Sequence, residues 1–340
     1  MPGHDIIVIG ASAGGVEALT QLVKRLPPDL SAAIFIVLHV PAHATSVLPN
    51  ILNRCKTLKA LHPKDGAPIE HGRIYVAPPD YHLLIKRGYI KLTRGPRENG
   101  HRPAIDTLFR TAARNYGRRV VGVILSGTLD DGTAGLMAVK IRGGVAVVQD
   151  PDEAMFVGMP RSAIDKVDVN HILPLSDIAP LLVSLAQEPV EEETENPVSR
   201  EMEMEAEVAE INSAPMQNDE HPGTPSGFGC PDCGGALWEI RNGKLVRFRC
   251  RTGHAFSSES LLAKQSEAVE EALWVALRAL EERADLARRM ASGARAQNRN
   301  WAAERFAQQV EDAQQRAAII RQVLLKGEAD PTAEPDATDF

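Results

Sequence analysis

The sequence predicts an α/β fold with a doubly wound, mostly parallel sheet, followed by a small cysteine-containing module and an α-helical hairpin. Over residues 5–187, short apolar runs alternate with amphipathic stretches, which is the pattern of parallel strands covered by helices on both faces. Three of the four cysteines fall within residues 230–250, and apolar residues recur at helical spacing over residues 258–326. Because 340 residues exceed the usual size of one compact core, we expect several domains.

The first predicted domain, residues 1–187, contains six strands, six helices and one added hairpin. The predicted strands are Ile6–Ile9, Ala33–Leu38, Arg73–Ala77, Val120–Leu125, Val145–Gln149 and His171–Leu173. The predicted helices are Val16–Leu26, Thr45–Arg54, Ala104–Ala113, Gly132–Ile141, Pro160–Lys166 and Ser176–Gln187. The stretch HLLIKRGYIKL, residues 82–92, predicts a hairpin that turns at Arg87–Gly88.

The composition changes abruptly after this domain. Residues 188–226 hold twelve acidic residues against one basic residue, which predicts a flexible acidic linker with one short helix at Val198–Ile211. In this prediction, residues 227–257 form the cysteine-containing module, residues 258–326 form the helical hairpin, and residues 327–340 form a disordered tail.

Charge and hydropathy exclude several classes of function. The first domain carries 21 Lys and Arg residues against 16 Asp and Glu residues, a mild positive bias that suits an acidic partner surface. Aromatic residues make up only 4% of the chain, which leaves few stacking platforms for nucleic acid. No apolar run is long enough to span a bilayer, and no export signal is visible, so we expect a cytoplasmic protein without membrane insertion.

The residues VIGASAGG, at positions 8–15, join the first predicted strand to the first predicted helix. Gly10, Ser12 and Gly14 match the G-x-S-x-G pattern of a nucleophile elbow, in which the glycines allow a serine hydroxyl to project from the turn. The turn lacks the middle glycine of a dinucleotide-binding turn and the Gly-Lys-Ser/Thr ending of a phosphate-binding loop. From these residues alone, a serine that only caps the helix remains an alternative.

A nucleophilic serine needs a base, and the base needs an orienting carboxylate. The carboxyl ends of parallel strands meet at one sheet edge, where His39 ends the second strand and Asp130 and Asp131 follow the strand VVGVILSG. The alternatives are a hydrogen-bonded core histidine and acids that favour a helix N-terminus, and the residues leave the choice of aspartate open. The turn amides near Ala13 and Gly14 are candidate donors to an oxyanion.

Six sequence blocks occur in order over residues 4–187: VIGASAGG, LHVP, IYVAPPDYHL, RPAIDTLF, VGVILSGTLDDGTAG and FVGMPRSAI. Together they resemble the catalytic domain of the CheB family, the chemotaxis protein-glutamate methylesterases, which have a Rossmann-like fold. The resemblance implies hydrolysis of γ-glutamyl methyl esters, and deamidation of glutamines, on the signalling helices of chemoreceptors. It assigns the nucleophile to Ser12, the base to His39 and the orienting carboxylate to Asp131, with no cofactor for catalysis.

The resemblance also guides the assignment of substrate contacts and partners. Arg102, in HRPAID, is a candidate contact for acidic residues beside the ester, and its alternative is an ordinary surface charge. Thr128 is assigned to the substrate site; with Leu129 it replaces a Met-Gly pair of the family, and Ala13 replaces a frequent threonine, changes that resemble orphan members. Because the chain begins just before the first catalytic strand, we expect an orphan member without a receiver domain. The expected partners are methylated chemoreceptor-type proteins and two-component signalling proteins.

The segment CPDCGGALWEIRNGKLVRFRCRTGH carries four candidate metal ligands in two pairs: Cys230 with Cys233, and Cys250 with His254. The pairs have C-x-x-C and C-x-x-x-H spacing and are sixteen residues apart, which is typical of a zinc ribbon. A module of this size cannot form an adequate apolar core, so we expect one structural zinc ion. The alternative is a reduced or disulfide-linked cysteine pair.

The hairpin is predicted from a heptad seam that recurs in both of its helices, which the stretch MASGARAQNRN joins. The predicted seam residues are Phe306, Val310, Ala313, Ala317, Ile320 and Leu324 in the second helix, and Val269, Leu273, Leu277 and Leu280 in the first. Such a hairpin offers a surface for self-association.

Two further hypotheses stand beside the esterase. One is a signalling scaffold that keeps the methylesterase fold, and the intact set of Ser12, His39 and Asp131 argues against it. The other is nucleic-acid recognition by the zinc ribbon. Residues 227–340 carry 16 basic against 17 acidic residues, and this near neutrality argues against nucleic-acid binding.

Overall fold

The computed structural model describes residues 3–190, 198, 200–210 and 223–327, which divide between two compact units, Met1–Leu262 and Ala263–Phe340. The strands of the described part are β1 (Ile6–Ala11), β2 (Ala33–Leu38), β3 (Lys59–Leu61), β4 (Arg73–Val76), β5 (His82–Lys86), β6 (Tyr89–Thr93), β7 (Val120–Ile124), β8 (Val145–Gln149), β9 (His171–Leu173), β10 (Thr224–Gly229), β11 (Ala236–Asn242), β12 (Leu245–Cys250) and β13 (Ala255–Ser257). The helices of that part are α1 (Gly15–Lys24), α2 (Leu48–Asn53), α3 (Ile105–Tyr116), α4 (Thr133–Ile141), α5 (Gly158–Lys166), α6 (Leu175–Gln187), α7 (Arg200–Ala209), α8 (Ser258–Ala296) and α9 (Asn300–Gly327).

Seven strands form one sheet in the order β3-β4-β2-β1-β7-β8-β9, and every described pairing in it is parallel. The predicted parallel sheet is therefore confirmed. β3 was not predicted, because its three residues at the sheet edge carry too little apolar pattern to stand out. The predicted hairpin is present as β5 and β6, and Lys86 pairs with Tyr89 across the two-residue turn.

Helices cover both faces of this sheet, as the doubly wound prediction requires. Alternate residues of β1 face opposite sides, so Ile7 and Ile9 pack with α1, α2 and α6. Ile6 and Val8 face the other side, where they pack with α3, α4 and α5. Because β1 lies between β2 and β7, three neighbouring strands end together at the centre of one sheet edge.

Within the predicted linker, the short helix predicted at Val198–Ile211 is present as α7 (Arg200–Ala209), but it is docked on α3 rather than flexible. α7 packs against α3, and Met202 and Ala206 are buried there. Glu205 is buried as well, and its carboxylate pairs with Arg110 and Arg247. These two arginines compensate the negative charge that the acidic helix places inside the protein. The other parts of the predicted linker, at 191–197, 199 and 211–222, lie outside the described residues, as do residues 328–340 of the predicted tail.

The cysteine-containing module is a four-stranded antiparallel sheet, β10-β11-β12-β13. It begins at Thr224, three residues before the predicted start, and its first and last strands were not predicted. The small core of the module contains Leu237, Phe248, Phe256 and Leu261 beside the cysteines.

Helices α8 and α9 form the predicted hairpin, and residues 297–299 make its turn. Leu277, Ala317 and Leu324 are the buried centre of a seam that also includes Leu273, Leu280 and Ile320. Val269 was predicted in the seam but is 60% exposed and lies outside it. None of the described helices is both long and apolar enough to cross a membrane.

Candidate active site

The serine turn lies where β1 ends and α1 begins. Ser12 is half-buried, and its N–H donates a hydrogen bond to the carbonyl of Ser126 (3.0 Å). A Cβ at Gly10 would lie 2.4 Å from the side chain of Ile105, and Gly14 adopts φ 71° in the left-handed region. The two glycines of the pattern are therefore required by close packing and by backbone conformation, and the left-handed residue is Gly14 rather than Ser12.

Ser12, His39 and Asp131 form a hydrogen-bonded chain across three neighbouring strands. His39 follows β2 and Asp131 follows β7, and both strands pair with β1. His39 Nδ1 lies 3.1 Å from Ser12 Oγ, and His39 Nε2 lies 2.8 Å from Asp131 Oδ2. With its proton on Nε2, the imidazole donates to the carboxylate and directs its Nδ1 lone pair at the serine hydroxyl. The three predicted residues are brought together, and their catalytic roles remain predictions.

Asp131 is a buried carboxylate that is held ionised. Its Oδ2 also accepts the N–H of Ile105 (2.7 Å), and its Oδ1 accepts the amide of Asn99 (2.9 Å). Burial opposes ionisation, but the hydrogen bond and charge of His39, with the N–H of Ile105, outweigh it and lower the pKa of Asp131 well below its ordinary value. An ionised Asp131 can fix the tautomer of His39 and balance the charge of its protonated form.

The neighbouring Asp130 has different partners. Its Oδ1 accepts the hydroxyl of Ser257 (2.6 Å), and its Oδ2 lies 3.5 Å from Lys166 Nζ. Burial raises the pKa of Asp130 to about 6. The residues alone left the choice between the two aspartates open, and the family resemblance assigned Asp131. Of the two, it is Asp131 that hydrogen-bonds to His39.

Two residues of the loop between β6 and α3, residues 94–103, reach the site and were not selected from the sequence. The ring of His101 stacks on the ring of His39, with centroids 3.6 Å apart and planes 11° apart. Asn99 is buried and donates to Asp131 from a left-handed backbone conformation (φ 52°), which asparagine tolerates better than most residues. In the sequence, both residues lie just before the RPAID block, and this position could have indicated their place at the site. The helix of this block begins at Ile105, whose N–H donates to Asp131.

The other predicted site residues lie around this chain. The amides of Ala13 and Gly14 are at the N-terminal end of α1, where the helix dipole favours negative charge. Arg102 donates two hydrogen bonds to Asp80 (2.9 and 2.6 Å) and one to the carbonyl of Gly95 (2.9 Å), so its guanidinium is held between Asp80 and the 94–103 loop. Thr128 is exposed in the loop after β7. The substrate contacts predicted for these residues remain predictions.

An exposed apolar patch flanks the serine turn. It consists of Leu129, Met155 and Phe156, whose exposed fractions are 39%, 65% and 40%. The patch is fixed to the site through Ser126, whose hydroxyl accepts the N–H of Phe156 (3.0 Å) and donates to the carbonyl of Ala13 (2.8 Å).

Three cysteines and one histidine lie close together in the antiparallel module. The ligand atoms of Cys230, Cys233, Cys250 and His254 are all within 4.8 Å of one another. The Cys233 and Cys250 sulfurs are 3.7 Å apart, and His254 Nδ1 lies 3.6 Å from Cys250 Sγ and 3.7 Å from Cys230 Sγ. None of the four cysteines forms a disulfide, and the predicted cluster of three cysteines and one histidine is present.

The first part of the chain is similar to known proteins. A family model described as CheB methylesterase matches residues 7–182. A Leptospira interrogans protein provisionally named protein-glutamate methylesterase/protein-glutamine glutaminase is 40% identical over 190 residues, 56% of this chain and 98% of that protein. The Pyrococcus horikoshii protein-glutamate methylesterase/protein-glutamine glutaminase is 33% identical over 191 residues, 55% of this chain, and the chain spans about half of that relative's length (52%).

A solved structure has the same architecture. The crystal structure of the Thermotoga maritima CheB methylesterase catalytic domain is 33% identical, with a TM-score of 0.52, and the match covers 53% of this chain and 98% of that one. The family model also spans more than half of the present chain. This chain therefore belongs to the CheB methylesterase family and is an enzyme of the hydrolase class.

Proposed function

We propose that this chain is a protein-glutamate methylesterase, acting on γ-glutamyl methyl esters of helical, chemoreceptor-type signalling proteins. The observation that carries the proposal is the hydrogen-bonded chain of Ser12, His39 and Asp131 in a member of this family. Relatives in the family are named methylesterase and glutaminase. Deamidation of glutamine is the same acyl transfer with ammonia as the leaving group, so it belongs to the same proposal.

In the proposed reaction, His39 Nδ1 accepts the hydroxyl proton of Ser12 as Oγ attacks the ester carbonyl carbon. The amides of Ala13 and Gly14 stabilise the oxyanion that forms on the carbonyl oxygen. Collapse of the tetrahedral intermediate breaks the bond to methoxide, which leaves as methanol with the proton from His39. Water then attacks the acyl-enzyme, with His39 again as the base, and releases a glutamate carboxylate and free Ser12.

The proposed substrate surface is the apolar patch of Leu129, Met155 and Phe156 beside Ser12. A patch of three side chains suits brief contact rather than tight binding. The exposed fractions of these side chains support a protein rather than a small-molecule substrate.

The direct test measures methanol release from membranes that contain methylated receptors. We expect release by the full chain and a loss of at least about 1,000-fold in the Ser12→Ala variant. The matched control is Ser31→Ala, which changes an exposed serine away from the site and should keep the wild-type rate. Methanol release by Ser12→Ala at the wild-type rate would contradict the proposal.

We further propose that Cys230, Cys233, Cys250 and His254 hold one structural zinc ion. A tetrahedral zinc with ordinary bond lengths requires sulfur–sulfur separations of about 3.8 Å and sulfur–nitrogen separations of about 3.5 Å. The distances of 3.7 and 3.6 Å support this geometry. Two turns present the ligands, with Cys230 N–H donating to Gly235 O (2.7 Å) and Cys250 N–H donating to His254 O (3.0 Å).

Elemental analysis of the purified full chain tests the zinc proposal. We expect about one zinc ion per chain, and a large loss of zinc in Cys250→Ala. Cys55→Ala is the matched control, because Cys55 lies in the first domain outside the cluster and should keep full zinc content. Equal zinc content in all three proteins, or none in the wild type, would overturn it.

A further inference from the structure

The C-terminal module pairs directly with the loop that supports the active site. Asn99 N–H donates to Ala255 O (2.7 Å), and Ala255 N–H donates to Arg97 O (3.2 Å). Glu98 and Ala255 thus form a parallel bridge between the 94–103 loop and β13. Ala255 directly follows His254, one of the four clustered ligands.

Buried charges hold the same contact together. The carboxylate of Glu98 accepts hydrogen bonds from Arg249 of the module (3.2 Å) and from Arg110 of α3 (2.5 Å), and all three side chains are buried. Gly253 lies so close to Pro96 that a Cβ would come within 2.8 Å of the ring. A buried charge is costly without its partner. The ion pairs of Glu98 therefore favour the arrangement in which the loop and the module are docked.

The side chain of Asn99 lies between the module and the catalytic carboxylate. Its Oδ1 accepts the N–H of Ser257 and the hydroxyl of Ser260, both at 2.9 Å. Its Nδ2 donates to Asp131 Oδ1 (2.9 Å) and to Asp106 Oδ2 (3.0 Å). All four hydrogen-bonding positions of the amide are used, so Ser257 and Ser260 determine which end of the amide faces Asp131.

We propose that Asn99 is a positioning residue for Asp131, and that the C-terminal module with its metal site holds Asn99 in place. The connection runs from His254 through Ala255 and Asn99 to Asp131. This proposal rests on the esterase and zinc proposals above. A metal ion that orders the segment around His254 favours the docked loop, and therefore favours the orientation of Asp131 that His39 requires. By thermodynamic linkage, metal binding then raises the equilibrium constant for loop docking by the same factor by which loop docking raises the metal affinity.

The kinetic test compares three forms of the full, zinc-loaded chain: the wild type, Ser260→Ala and Ser258→Ala. Ser260→Ala removes one hydrogen bond to Asn99, while Ser258 is exposed on the same turn and hydrogen-bonds elsewhere. We expect kcat of Ser260→Ala to fall about 3- to 10-fold with KM and zinc content unchanged, and Ser258→Ala to match the wild type. Unchanged kcat in Ser260→Ala would overturn the inference while the esterase proposal stands.

The equilibrium test needs no catalytic activity. Zinc affinity is measured by chelator competition in the wild type and in Asn99→Gly, which keeps the left-handed backbone but removes the amide. We expect zinc binding to weaken about 5-fold or more in Asn99→Gly, and hydrogen exchange of residues 94–103 to accelerate when zinc is removed from the wild type. Equal zinc affinity, with exchange in this loop unaffected by zinc, would overturn the inference. A wild type that shows this linkage but releases no methanol would contradict the esterase proposal alone.

Discussion

The imidazole rings of His39 and His101 stack with their centroids 3.6 Å apart, and this stack restricts the rotation of His39 between Ser12 and Asp131. We therefore expect His101→Ala to lower kcat for methyl-ester hydrolysis about 3- to 10-fold with little change in KM. His101→Phe keeps an aromatic ring against His39 and should recover most of the loss. Steady-state kinetics of the two variants check this, and equal rates in wild type and His101→Ala would show that the stack has no role in positioning.

The two adjacent aspartates should respond very differently to the same substitution. Asp131→Asn removes the carboxylate that accepts from His39 Nε2, so we expect a fall in kcat of about 1,000- to 10,000-fold. Asp130→Asn keeps an acceptor for Ser257 and leaves His39 untouched, so its kcat should fall less than about 10-fold. Methanol release by the two variants is the measurement, and equal losses at both positions would contradict the assignment of Asp131.

The pKa of Asp130 also predicts a pH dependence of stability. Burial raises this pKa from 3.8 to about 6, so the folded state binds a proton more tightly than the unfolded chain does. The contribution of Asp130 to folding is therefore fully present below about pH 4 and is lost as pH rises through about 6. Asp130→Asn cannot ionise, so it should gain up to about 3 kcal/mol in free energy of unfolding relative to wild type between pH 4 and pH 7.5.

Urea denaturation of wild type and Asp130→Asn at both pH values measures this difference. Comparing the two proteins removes the contribution of every other titrating group, because those groups are shared. A difference in unfolding free energy that does not change between pH 4 and pH 7.5 would show that Asp130 titrates normally.

The buried charges between α7, α3 and the module predict a strong dependence of stability on Glu205. Glu205 accepts from Arg247 (2.7 Å) and Arg249 (3.1 Å) and pairs with Arg110 (3.3 Å), so Glu205→Ala leaves three buried arginines with less compensation. We expect a loss of about 3–5 kcal/mol in the free energy of unfolding. Glu203→Ala, two residues away on the same helix, removes a partly exposed pair with Arg114 and should cost less than about 1 kcal/mol.

Denaturation of the two full-length variants distinguishes these outcomes. Similar losses in Glu205→Ala and Glu203→Ala would mean that α7 does not dock through the buried cluster. Such a result would also weaken the proposed connection between the module and the active site, because Arg249 binds both Glu205 and Glu98.

The parts of the fold with a strong local pattern could be predicted from the sequence. The apolar runs of β1, β2, β7 and β8 were predicted correctly because each has five or six residues, nearly all of them buried. β3 has only three residues, so it carries too little apolar periodicity to be predicted. α7 was predicted as a short helix, but its docking was not, because its highly acidic stretch indicated a flexible linker. The acidic residues of α7 are stabilised by arginines more than 40 residues away, as for Glu205 and Arg247, which no local pattern reveals.

The candidate site was predictable to the extent that its residues end strands. Ser12, His39 and Asp131 could be grouped because neighbouring parallel strands end at a common edge. Asn99 and His101 lie in an irregular loop, and their positions depend on long-range contacts with Ser257, Ser260 and His39. Arg102 was selected for its charge, but the partner that holds it, Asp80, is 22 residues away.

The central claim is that Ser12 forms a covalent acyl intermediate, and mass spectrometry of the full chain tests it most directly. The protein is mixed with a peptide glutamate methyl ester, quenched in acid within milliseconds, and digested. We expect a glutamyl adduct on the peptide that contains Ser12, and no adduct in the Ser12→Ala variant. Ester hydrolysis that proceeds at full rate in Ser12→Ala, or an adduct on another residue of the wild type, would contradict it.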